Sequence, residues 1–170
     1  MPGTISPGAR NVSANPKIVL VAGLVAGVLD IIAAIVYRTF VTGDLDARPI
    51  LKYIASGVFG KDALQGGANM VILGLIFHFF IALGFAFLYW ILYRNLGFLR
   101  KYVVIGGLLY GILVWIIMNR VVVPLSNTPK FSTSFGVKAL IQMGILMVCI
   151  GLPVSLIIHK NTLRTVKKVE

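Results

Sequence analysis

The chain has 170 residues, of which 58% are hydrophobic and only 12% charged, and its mean hydropathy is +0.94. An average soluble domain carries roughly 25% charged residues, so this composition excludes a soluble globular domain and predicts a chain built for the bilayer. The formal net charge of +11 does not point to nucleic acid: no stretch interleaves basic and aromatic residues on a soluble surface, and the charges gather at the ends of apolar runs, where they meet anionic headgroups.

Residues 1–16, with Pro2, Pro7 and Pro16 among Gly, Ser and Asn, show no periodicity and read as a flexible cytoplasmic tail. A spanning helix needs about 20 mostly apolar residues, and the first such run is Ile18 to Tyr37. It exceeds the roughly 7 to 15 residues of a signal-peptide core and lacks a small-x-small cleavage pattern, so it reads as a retained helix. Within it, Gly23, Gly27, Asp30, Ala34 and Tyr37 recur at helical spacing and form one stripe. A charged side chain at the centre of a spanning helix costs about 2.5 to 3.5 kcal/mol, and small residues mark the face where helices approach. Asp30 is therefore expected to point into a bundle and to have a partner there.

After "TGDLDARP", Pro49 precedes Ile50, Leu51, Tyr53, Ile54, Val58 and Phe59 at spacings of three and four, which predicts a short amphipathic helix at the outer interface. "GKDALQGG" then turns the chain into a second span, Met70 to Tyr93, with a stripe of Gly74, His78, Ala82, Phe85 and Tyr89. His78 falls some ten residues from the outer end, roughly 10 to 15 Å deep at 1.5 Å per residue, and Asp30 on the opposing helix falls at a comparable depth. The pair is the leading candidate for binding or relaying an ion or proton. A carboxylate that accepts from an imidazole would remove two isolated polar groups from hydrocarbon.

The third span, Tyr102 to Val123, carries Gly107 and Gly111 as a packing pair, then Asn119 and Arg120 near its outer end, and Pro124 is expected to stop it. The fourth, Val137 to Ile158, carries Gln142 near its start, and Pro153 is expected to kink it with Gly151 easing the bend. Asn119, Arg120 and Gln142 would form a secondary polar cluster in the outer half, beside Asp30 and His78. The membrane domain thus covers residues 17–160, and 161–170 reads as a basic tail.

Nine Lys and Arg residues flank the side holding both termini and seven the other, which predicts cytoplasmic termini. "GLVAGVLDIIAAIVYRTFV" at Gly23 also resembles "GLLYGILVWIIMNRVVV" at Gly107, as two parallel two-helix repeats would.

Sharper chemistries find no residues. The single cysteine, Cys149, permits no intrachain disulfide; His159 sits at the wrong end to be a second axial haem ligand; one His and one Asp fall short of the three protein ligands of catalytic zinc. Ser155 is remote from His78, and no G-x-S-x-G elbow or phosphate-binding glycine loop occurs. No catalytic set, metal or cofactor is expected.

"GLVAG" in the first helix, the lone His78 in the second, GxxxG from Gly107 to Gly111 and the Val-Val-Pro exit at Val122 to Pro124 resemble the small uncharacterised bacterial inner-membrane proteins of the YagU-like type. The resemblance spans most of residues 18–160 and implies a membrane location and a four-helix fold. The expectation is an all-α bundle of four transmembrane helices in a cytoplasmic membrane, in contact with anionic lipids and assembled as a homo-oligomer. Two functions remain open: a transport or channel-like module centred on Asp30 and His78, or a non-catalytic scaffold or accessory subunit in which the same residues are packing glue.

Overall fold

The computed structural model describes residues 16–129 and 136–167, so the flexible-tail reading of residues 1–15 lies outside the described residues. In chain order the elements are α1 (Pro16–Thr42), α2 (Arg48–Phe59), α3 (Asp62–Gln65), α4 (Ala68–Asn95), α5 (Gly97–Lys101) and α6 (Val103–Ile117). A π-helical turn at Met118–Val122 joins α6 to α7 (Val123–Leu125), and a second at Met147–Gly151 joins α8 (Val137–Leu146) to α9 (Leu152–Lys167). Four helices among the described residues are long and apolar enough to cross a membrane: α1, α4, a third span (Val103–Leu125) and a fourth (Val137–Thr162). The protein is an all-α, four-helix integral membrane bundle.

Two helices outrun their apolar segments because side chains close the last turns. Thr39 and Thr42 hydroxyls donate to the Ile35 and Arg38 carbonyls (both 2.9 Å) and carry α1 past Tyr37. Asn161 and Thr162 donate to Ile157 and Ile158 (2.9 and 2.8 Å), and α9 continues to Lys167, so the expected basic tail is largely a helical extension.

The third span ends at Leu125, one residue past Pro124, as expected of that proline, whereas the fourth span runs on through Pro153. Both π turns end two residues before a proline, Val122 before Pro124 and Gly151 before Pro153. A proline ring crowds the carbonyl four residues back and offers no N–H, and a widened turn relieves that conflict.

α1 lies between α4 and the fourth span, and the third span packs on the fourth. The two glycine pairs have equivalent uses. A Cβ on Gly23 or Gly27 would stand 3.0 Å from the Leu83 Cα or the Phe79 ring of α4, while one on Gly107 or Gly111 would collide with Ser155 or the Met147 backbone of the fourth span. The amphipathic loop helix is α2, which buries Leu51, Ala55 and Ser56 against α4 at Gly74, where a Cβ would overlap the Leu51 carbonyl. Its far end is held by Asn127, whose backbone and side-chain N–H groups donate to the Gly57 and Val58 carbonyls, each at 2.9 Å. At its start, Asp46 accepts from both the backbone N–H and the Nε of Arg48 (2.9 Å each), and this pairing holds its carboxyl below the usual range.

The buried apolar cluster, including Ala22, Ala26, Tyr89, Tyr110, Val114 and Val154, fills the half of the bundle nearer the described termini. Toward the loop end, no residue of α1 from 28 to 42 and none of the third span from 116 to 125 is buried.

Candidate functional site

Asp30 is the fifteenth of the 27 residues of α1, so it sits at mid-span rather than in the outer half. It is half-buried, on the continuation of the stripe of Ala22, Gly23, Ala26 and Gly27, and marks the level at which the packed core ends. His78 is buried in α4. Because Gly27 has no side chain, α4 comes close enough for the His78 Nε2 to bond the Gly27 carbonyl at 2.8 Å. The Phe79 ring meets the imidazole edge-on, with centroids 5.4 Å apart.

That contact fixes the chemistry of the ring. A carbonyl oxygen only accepts, so Nε2 carries the hydrogen, and in the neutral imidazole Nδ1 presents a lone pair. Asp30, three residues beyond Gly27 on the same face, is within electrostatic reach of His78, although no hydrogen bond or ion pair joins the two directly. The π turn of the fourth span packs against α1.

The Asn119 side-chain N–H donates to the carbonyl of Trp115, one turn back on its own helix (2.9 Å); Arg120 is exposed toward the loop end, and Gln142 is exposed on α8. Among the described residues, no three His, Cys, Asp or Glu side chains are grouped to hold a metal.

A second polar column lies nearer the termini. Tyr110 donates to the Phe85 carbonyl (2.5 Å), Tyr89 meets Tyr110 edge-on with centroids 4.9 Å apart, and the Tyr93 hydroxyl shares a 2.7 Å hydrogen bond with His159 Nδ1. Tyr89 is fully buried. In the sequence this column shows only as the spacing of four between Phe85, Tyr89 and Tyr93, with Tyr110 and His159 arriving from distant helices. About seven residues, or roughly 10 Å of helix, separate His78 from Phe85, and the buried residue between them on α4 is Ala82.

The chain matches no family model, no curated protein and no solved structure.

Proposed function

We propose that the protein is a transport or channel-like module in which Asp30 and His78 bind or relay a cation or proton. The observation that carries this reading is a half-buried carboxylate at mid-span, within electrostatic reach of a buried imidazole whose Nδ1 lone pair is unspent. Intramembrane ionisable residues are costly and mark ion paths or relays. In a relay, Asp30 takes up a proton, passes it to His78 Nδ1 and returns to the carboxylate, and the imidazolium then releases the Nδ1 proton. The loosely packed loop-end half of α1 and of the third span is the side from which the ion enters. The charge distribution supports cytoplasmic termini, with the basic helix ends against anionic lipid. The YagU-like resemblance adds a bacterial cytoplasmic membrane as the setting, and a homo-oligomer supplies the walls that four helices lack.

One observation favours the second reading, a scaffold or accessory subunit. The His78 bond to Gly27 pins α1 to α4, and interhelical hydrogen bonds of about 0.6 kcal/mol commonly do no more than that. Proteoliposome flux assays separate the two. Under the transport reading the parent shows a pH-dependent ion flux that Asp30→Asn abolishes and His78→Ala cuts severely, with both variants folded by circular dichroism. No flux in the parent, or full flux in both variants, would return the pair to a packing role.

A further inference from the structure

We infer that a cleft at the loop end of the bundle is a headgroup site for an anionic phospholipid, in which the Arg48 guanidinium and the Lys52 ammonium hold the lipid phosphate while Pro49 and Leu64 meet its acyl-glycerol end. The site is separate from Asp30 and His78 and does not depend on their role.

Asp46, Arg48, Pro49, Lys52 and Leu64 line an open cleft of about 440 Å³, formed where α2 begins and α3 packs on it. That volume falls within the roughly 300 to 1,000 Å³ of ordinary small-ligand sites. Its wall is braced by charge pairs. Arg38 of α1 donates from Nε to the Asp46 carbonyl (3.1 Å) and pairs with the Asp44 carboxylate (3.6 Å), which ties the turn before α2 to the end of α1. The Asp46 carboxylate then accepts from the backbone N–H and the Nε of Arg48, both at 2.9 Å. This uses one edge of the guanidinium. Its two Nη groups and the Lys52 ammonium have no hydrogen bond or ion pair among the described residues. Arg48 and Lys52 are four residues apart on α2, so both stand on the same face, over the cleft they line.

Charge selects the sign of the ligand. Two cations and one carboxylate line the cleft, a balance of one positive charge that a monoanion such as a phosphodiester neutralises. The paired Nη groups offer a planar fork to two phosphate oxygens, and Lys52 adds a point charge beside them. Depth selects the source. The 27 residues of α1 make a helix of about 40 Å, roughly the thickness of a bilayer with its headgroup layers, and Asp46 lies just beyond its end at Thr42. The cleft therefore stands at headgroup level. Phe40, Val41 and Leu45, which lead into it, are exposed apolar side chains of the kind that acyl chains cover. A free phosphate would use the two cations and leave Pro49 and Leu64 without a contact.

Native mass spectrometry of the purified protein in neutral detergent, titrated with phosphatidylglycerol, reads the site through the lipid retained. Lys52→Ala, which disturbs no hydrogen bond, should weaken retention by about fivefold, the worth of one basic contact to an anionic headgroup. Arg48→Gln should weaken it at least as much, with both variants folded by circular dichroism. Lys61→Ala removes an exposed cation of the same loop that does not line the cleft, and should bind as the parent does. Unchanged retention in Lys52→Ala overturns the inference, and so does an equal loss in Lys61→Ala, which would show a diffuse effect of charge. Phosphatidylcholine, whose headgroup carries no net charge, should be retained more weakly than phosphatidylglycerol; equal retention overturns the anionic class. Glycerol 3-phosphate, which has no acyl chains, should not displace the lipid at equal concentration. Displacement would assign the cleft to a soluble phosphate and overturn the lipid.

Discussion

A missing side chain at position 27 decides what His78 does. The glycine stripe of α1 makes its facing side legible in the sequence, and with it the fact that Asp30 looks inward. Which atom lies across from His78 is not legible, because helical period gives an angle and a rough depth, whereas a 2.8 Å bond depends on how closely two backbones approach. Asn119 illustrates a related point: a short polar side chain can satisfy itself on its own preceding turn, as Asn119 does on Trp115. Glycines with similar sequence surroundings differ as sharply. A methyl on Gly74 would overlap the Leu51 carbonyl of α2, whereas one on Gly84 would meet nothing within 4 Å. Gly74→Ala should cost about 1 to 3 kcal/mol, and Gly84→Ala should be neutral or slightly stabilising, as read from equilibrium unfolding in detergent.

At the scale of elements, the two prolines differ: the third span ends one residue past Pro124, while the fourth runs on through Pro153. Each is preceded by a π turn at the same offset, and in the fourth span this turn coincides in depth with Asp30. The sequence identifies the prolines but not the accommodation, because a proline can end, bend or widen a helix and the surrounding packing selects among these. The loop helix α2 is legible as an element from the spacing of its apolar residues. Its seating is not, because that depends on Gly74 of α4 and on Asn127, 69 residues from its bonding partner Val58. Asn127→Ala removes one of the two hydrogen bonds at that end, a loss of about 1 kcal/mol, and hydrogen exchange should accelerate within residues 48–59 while the spanning helices stay protected.

Across the whole molecule, packing is lopsided. The half nearer the described termini holds the apolar cluster and the tyrosine column, while the loop-end half of α1 and of the third span buries nothing. Equal truncations should therefore have unequal effects. Val154, fully buried, should cost roughly 1 to 3 kcal/mol on change to Ala, and Val36, 46% exposed, less than about 0.5 kcal/mol, by the same unfolding measurement. Such a division suits a site at mid-span, with one half anchoring the bundle and the other free to admit an ion. The sequence by itself determined the membrane class, the four spans, the loop helix and the inward faces of Asp30 and His78, since composition and local period suffice for each. Only the tertiary structure decided that His78 bonds a backbone carbonyl and that the π turn of the fourth span packs against α1. Those outcomes turn on how closely helices far apart in the chain approach and on where their backbones widen, and no local pattern encodes either.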